Sequence, residues 1–319
     1  MTAVLVLYRE SPPQRLAAIE RLATVRTVRA DRLGAELPSA DVLLMWDFTS
    51  TALADLPDLG DRLRWIHVAG AGVDRALVPS VLAAERVLVT NSRGVFERPI
   101  AEYVAGWMLA FAKDLPGTLA LQATGTWRHR ETEMVAGRTA VVVGAGPIGR
   151  EIGRLLSALG VRVRLVGRTR RSGDPEFGEI AGVDDLLDVV GDADDVISAL
   201  PLTDRTTGMF DAEVFATMRP GARFMNIGRG ALVVEPDLIE ALRRGHLGGA
   251  GLDVFATEPL PASSPFWRMP NVLVSPHMSA DFVGWLDALA EVFLANLDRF
   301  VAGMPLHNVV DKTLGYVKE

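Results

Sequence analysis

Short apolar runs separated by polar, glycine-bearing turns recur through the first third of the chain, at 4–7, 42–46, 65–68 and 87–90. Consecutive Val, Leu and Ile at these lengths predict strands buried on both faces. The stretch 13–23 between two of them predicts a helix, and strands that alternate with helices imply a parallel sheet covered on both sides. Residues 98–113 predict a longer helix, with Ile100, Val104, Trp107, Leu109 and Phe111 on its apolar face. A second alternating series starts at Thr139, with strands expected at 140–143, 161–166, 195–200, 223–227, 251–254 and 272–275. That series suits a six-stranded, doubly wound sheet. A last helix over 282–302 puts Phe282, Leu286, Leu289, Phe293, Leu297 and Phe300 at helical spacing, the pattern of a core-packing helix.

Composition narrows the class. At 319 residues, 49% of them hydrophobic, the chain can fill two cores. A formal charge of -7 offers no general attraction to nucleic acid or an anionic membrane. Cysteine is absent, so disulfides, thiolate metal sites and cysteine nucleophiles are excluded, and no metal is expected. No run approaches the ~18 apolar residues of a membrane span. The run at 1–9 lacks the basic region and long apolar core of a signal peptide and reads as a first strand, which fits a cytoplasmic protein.

Within the second series, 139–143 leads into Gly144-Ala145-Gly146-Pro147-Ile148-Gly149 and then a helical stretch at 150–159. A G-x-G-x-x-G run is weak evidence alone, but strand, turn and helix in that order are what a dinucleotide site needs. Gly144 permits the tight turn, Gly146 lets backbone approach a pyrophosphate, and Gly149 lets helix pack on strand. The helix N-terminus, around Pro147 and Ile148, presents free N–H groups to the negative charge. After the next strand, NAD-selective sites place an acid on the ribose 2′-OH. This chain has Gly167-Arg168-Thr169-Arg170-Arg171 instead, so NADP(H) is expected over NAD(H), with Arg168, Thr169 and Arg170 on the 2′-phosphate. Arginine is abundant throughout, so a solvated turn is the plain alternative.

Three polar signatures follow: Asn226-Ile227-Gly228-Arg229-Gly230, Asp253-Val254-Phe255-Ala256-Thr257-Glu258-Pro259 and Ser275-Pro276-His277. Each of Arg229, Glu258 and His277 taken singly is an ordinary surface charge or loop histidine. Together, at the carboxyl ends of their strands, they supply what 2-oxo acid reduction requires. A guanidinium fork binds a carboxylate, and an imidazole biased by a carboxylate donates a proton near neutral pH. The other histidines, His67, His129, His246 and His307, lack that setting.

In these motifs, and in Gly70-Ala71-Gly72-Val73-Asp74, Ala101-Glu102, Leu200-Pro201-Leu202-Thr203 and Leu252-Asp253-Val254-Phe255, the chain resembles the D-isomer-specific 2-hydroxyacid dehydrogenases. The absent acid after the second strand points to their glyoxylate/hydroxypyruvate reductase-like branch. The resemblance implies an α/β fold of two Rossmann-like or flavodoxin-like doubly wound lobes with a cleft between them. Residues 1–98 and 282–319 would form the substrate-binding lobe and 99–281 the dinucleotide-binding lobe. It implies Arg229 as substrate-binding arginine, His277 as proton donor and acceptor, and Glu258 as its partner. Ala71, Gly72 and Val73 would give N–H groups to the substrate carboxylate, and Leu200, Pro201 and Thr206 would line the nucleotide. Asp253 and the Ile227 backbone would hold the nicotinamide carboxamide. It further implies a homodimer through the nucleotide lobe.

The reaction expected is reduction of a small 2-oxo acid to the D-2-hydroxy acid, and its reverse. Trp46, with Asp47, Phe48, Trp127, Met278 and Trp285, are candidates for shaping the substrate pocket, although aromatics are more often core. The alternatives are a non-catalytic NAD(P)-binding sensor of the corepressor type and a phosphite- or phosphoglycerate-type dehydrogenase on the same fold.

Overall fold

The computed structural model describes residues 1–318, and the chain divides into two compact units, Met1–Phe96 with Phe282–Glu319 and Glu97–Asp281. In chain order the first contains β1 (Ala3–Leu7), α1 (Leu16–Glu20), β2 (Thr24–Val28), α2 (Leu33–Glu36), β3 (Val42–Met45), β4 (Trp65–Val68), α3 (Pro79–Ala83) and β5 (Leu88–Asn91). These five strands form one all-parallel sheet, in the order β2-β1-β3-β4-β5. That is the flavodoxin-like order. Leu5, Leu7, Leu43, Met45, Ile66 and Val68 fill the core on one face of the sheet.

The second unit contains α4 (Glu97–Ala112), α5 (Leu115–Ala123), β6 (Thr139–Val143), α6 (Pro147–Ala158), β7 (Arg162–Gly167), β8 (Arg171–Asp174) and β9 (Gly178–Gly182). It continues with α7 (Leu186–Val190), β10 (Asp195–Ser198), α8 (Ala212–Thr217), β11 (Arg223–Asn226), α9 (Glu235–Arg243), β12 (Gly249–Leu252) and β13 (Val272–Val274). The sheet has eight strands, β13-β12-β11-β10-β6-β7-β9-β8, rather than the six expected. All six expected strands are present. The additions are β9, parallel to β7, and β8, antiparallel at the edge. Their sequences, Gly178-Glu179-Ile180-Ala181-Gly182 and Arg171-Ser172-Gly173-Asp174, carry too little apolar character to read as strands.

The chain then returns to the first unit with α10 (Trp285–Val301), β14 (Val310–Asp311) and β15 (Tyr316–Val317). Phe293 stacks on Trp65 of β4 at 5.2 Å between ring centroids, and Phe300 lies 5.4 Å from the same ring. Leu289, Phe293 and Leu297 are buried, so the helical spacing marks core packing from Leu289 on, whereas Phe282 lies before the helix and both it and Leu286 are exposed, facing solvent rather than the core. Among the described residues no helix is long and apolar enough to cross a membrane.

Candidate active site

The second unit gathers most of the chemistry at the carboxyl ends of its strands. The turn after β6 shows why three glycines are spaced as they are. Gly144 has φ +126°, and a Cβ there would lie 2.5 Å from the Ala199 carbonyl. A Cβ on Gly149 would lie 1.7 Å from the Gly144 carbonyl, so α6 sits too close to the turn for any side chain. Gly146 differs: a Cβ there would meet no protein atom within 4 Å. Its missing side chain leaves open space directly at the N-terminus of α6, where Pro147 opens the helix and no side chain caps the N–H groups. A pyrophosphate fits that opening, which is the use a helix N-terminus offers an anion.

Beyond β7 the three candidate phosphate ligands part company. Arg170 is committed to carboxylates, its Nε donating to Asp185 at 3.1 Å and its Nη1 lying 3.5 Å from Glu179. Arg168 and Thr169 are exposed, and Arg168 makes no ion pair among the described residues. On the loop after β10, Leu200 is half-buried and Pro201 exposed, while the Thr206 hydroxyl closes the loop on itself by donating to the Pro201 carbonyl at 2.7 Å. Ile227 is buried, its N–H on the Ser198 carbonyl at 3.2 Å.

The Arg229 turn is built by Asn226. Its side chain accepts from the Gly228 N–H at 3.1 Å and donates to the Arg229 carbonyl at 2.9 Å, spanning the turn from within. Gly230 has a packing reason beyond clearing space for the guanidinium: a Cβ there would lie 1.9 Å from the Phe255 backbone. The Arg229 Nη1 donates to the Gly228 carbonyl at 2.8 Å.

His277 lies in the left-handed region at φ +54°, which only a small share of non-glycine residues adopt. What holds it there is Asp253, a residue expected to touch the cofactor. The buried Asp253 carboxylate accepts from the Met278 N–H at 2.8 Å, the Ser279 N–H at 3.0 Å and the Ser275 hydroxyl. The Asp253 carbonyl accepts the His277 N–H at 2.8 Å. Asp253 thus clamps the residues on both sides of the imidazole. Strain held in place by such a clamp is a mark of functional positions.

The imidazole meets Glu258 through Nδ1 at 2.8 Å, with the two side chains 38% and 35% exposed. The other Glu258 oxygen accepts the Phe255 N–H at 2.9 Å. Burial pushes the Glu258 carboxyl up, but the hydrogen bonds from His277 and Phe255 and the charges of His277 and Arg229 outweigh it. The result lies below the ordinary carboxylate range. An ionised Glu258 can only accept, so Nδ1 carries a proton and Nε2 is left for another partner. Sequence and structure therefore agree on a convergence of Glu258 with His277, within electrostatic reach of Arg229.

In the first unit, Trp46 is half-buried just beyond β3, and the Phe48 ring packs edge-on to Trp285 at 6.4 Å between centroids. The loop after β4 contains Ala71, Gly72 and the buried Val73. Among the described residues their N–H groups have no acceptor. Trp127 is 99% exposed, so in the single chain it lines neither core nor pocket. No group of acids and histidines among the described residues could hold a metal ion.

Comparison with known proteins matches residues 105–279 to the family described as "D-isomer specific 2-hydroxyacid dehydrogenase, NAD binding domain". Glyoxylate/hydroxypyruvate reductase A of Serratia proteamaculans is 32% identical over 306 residues, 94% of this chain and 95% of that protein. D-3-phosphoglycerate dehydrogenase of Mycobacterium tuberculosis is 34% identical over 99% of this chain, though the match spans 60% of that protein. Among solved structures, the NADPH-dependent glyoxylate/hydroxypyruvate reductase of Sinorhizobium meliloti, in complex with NADP and sulfate, superposes with a TM-score of 0.84 at 30% identity. It covers 99% of this chain and 100% of that one. The chain therefore belongs to the D-isomer specific 2-hydroxyacid dehydrogenases, and is an NAD(P)-dependent oxidoreductase similar along nearly its whole length to glyoxylate/hydroxypyruvate reductases.

Proposed function

We propose that the protein reduces a small 2-oxo acid, of the glyoxylate or hydroxypyruvate class, to the D-2-hydroxy acid with NADPH as the preferred donor. The observation that carries this reading is the Glu258–His277 pair held by Asp253 under the charge of Arg229. The bound nicotinamide cofactor supplies a hydride. As negative charge grows on the substrate carbonyl oxygen, His277 delivers the proton from Nε2, and Glu258 stabilises the imidazolium before transfer. Arg229 takes the substrate carboxylate in its planar fork and polarises the neighbouring carbonyl. The N–H groups of Ala71, Gly72 and Val73 form a second anion-binding element.

Preference for NADPH rests on Arg168, exposed and unpaired at the position where NAD-selective sites carry an acid. The Sinorhizobium meliloti relative crystallised with NADP is consistent with it. A homodimer through the second unit is supported by the row of Leu115, Leu119, Trp127 and Met134, all exposed on or after α5. The test is the rate of NADPH and NADH oxidation against a panel of 2-oxo acids. We expect turnover of glyoxylate or hydroxypyruvate with a higher kcat/KM for NADPH, and Arg168→Ala to raise KM for NADPH about tenfold while sparing NADH. A clear NADH preference in the wild type overturns the cofactor assignment, and no turnover on any 2-oxo acid overturns the reaction.

A further inference from the structure

We infer that Asn91 is a positioning residue for substrate: it turns the loop after β4 so that consecutive backbone N–H groups face an incoming carboxylate. The inference rests on the reaction proposed above and concerns how the first unit builds its anion site. The Ala71 carbonyl accepts from the Asn91 side-chain amide at 2.6 Å. One peptide earlier, the Gly70 carbonyl accepts the Ser92 N–H at 3.0 Å. In a trans peptide the carbonyl and the following N–H point in opposite directions. Tying both carbonyls to the 91–92 segment therefore aims the N–H groups of Ala71 and Gly72 away from it. Those N–H groups have no acceptor among the described residues. Two adjacent N–H groups fixed in one direction with nothing to bond make a concavity for an anion.

The anchor is itself held from several sides. The Asn91 Oδ1 accepts the Arg93 N–H at 3.2 Å, so both ends of the amide are used. Asn308, at φ +56°, donates from its side chain to the carbonyls of Asn91 at 3.3 Å and Arg93 at 2.9 Å. Ser92 is fixed as well, its hydroxyl donating to the Val68 carbonyl at 3.2 Å. That hydroxyl has one hydrogen, so the His67 Nε2, 3.3 Å away, is the donor to it. His67 Nδ1 then accepts from the Thr90 hydroxyl at 2.8 Å, and Thr90 accepts from the Trp65 indole at 2.8 Å. The donors run in one direction from Trp65 to the end of β4, and the loop starts from a rigid platform.

The experiment compares steady-state reduction of glyoxylate by NADPH, and inhibition by oxalate, in wild type and Asn91→Ala. We expect KM for glyoxylate and the oxalate inhibition constant to rise together by about tenfold, the scale of one lost hydrogen bond to an ordered carbonyl. KM for NADPH and kcat should stay within roughly threefold, a split that general unfolding does not produce. Asn91→Asp keeps the size and the Arg93 bond but places an oxygen against the Ala71 carbonyl, and should be at least as impaired. If Asn91→Ala does not fold, Asn308→Ala decides: releasing the 91–93 turn from outside should raise KM for glyoxylate roughly twofold or more. Wild-type turnover with glyoxylate KM and oxalate inhibition unmoved in the variants overturns this inference and leaves the reaction standing. A wild type that reduces no 2-oxo acid overturns both.

Discussion

His67 and His277 are each placed by a parallel strand, at the carboxyl end of β4 and just past β13, yet they are opposites chemically. His67 is fully buried, ringed by Trp65, Phe293, Thr90 and Ser92, and burial pushes its imidazole down to about 3. Its partners are hydroxyls, which cannot stabilise a cation as a carboxylate does. His277 is partly exposed, lies on a left-handed turn and faces an ionised Glu258. A strand end positions an imidazole; burial and the charge of its partner decide whether it can carry a proton at working pH.

The contrast is broken most forcefully by replacing each ring. His277→Ala should lower kcat for 2-oxo acid reduction by roughly 10³-fold with NADPH binding retained. His67→Gln should leave the folded enzyme's kcat within about threefold, since a neutral buried ring gives nothing to the reacting atoms. Comparable losses in both, measured by steady-state kinetics at equal folded fraction, would erase the distinction. Arg229→Ala is next in size. It should cost roughly a hundredfold in kcat/KM towards carboxylate substrates, the scale of a lost charge-assisted pair, with the dissociation constant for NADPH little changed.

The smallest effect falls on stability. Between the unfolded histidine value, about 6.5, and the folded value near 3, the unfolded chain binds a proton that folded His67 does not. Stability contributed by the neutral ring is therefore present above that window and lost as pH falls through it. The urea midpoint of wild type should drop between neutral pH and pH 4, and His67→Gln should show a shallower drop. Equal slopes would mean that His67 titrates normally.

How much of this the sequence displayed depends on the type of signal. The nucleotide turn and Arg229, Glu258 and His277 were legible because each follows an apolar run and belongs to a short polar motif. Their supports were not. Asn91 and Asn308 are 217 positions apart and leave no periodic trace. The motif around Asp253 points to the cofactor and gives no sign that its oxygens also hold the His277 turn. An Asp closing one strand cannot reveal that its partners come from the next loop. Strand β2, Thr24-Val25-Arg26-Thr27-Val28, escaped because it is an edge strand with three exposed positions and a polar alternation. Helix α5 escaped for the opposite reason. Leu115 and Leu119 are apolar but exposed, so its pattern has no core face to mark it.

The central claim is tested most directly by steady-state 2-oxo acid reduction in wild type and Glu258→Gln. In the proposed reaction His277 gives a proton to the substrate oxygen, and a charged Glu258 orients the imidazole and stabilises the charge that it carries. Glu258→Gln should lower kcat by about tenfold with KM for NADPH little changed. A kcat that stays at the wild-type value would contradict it.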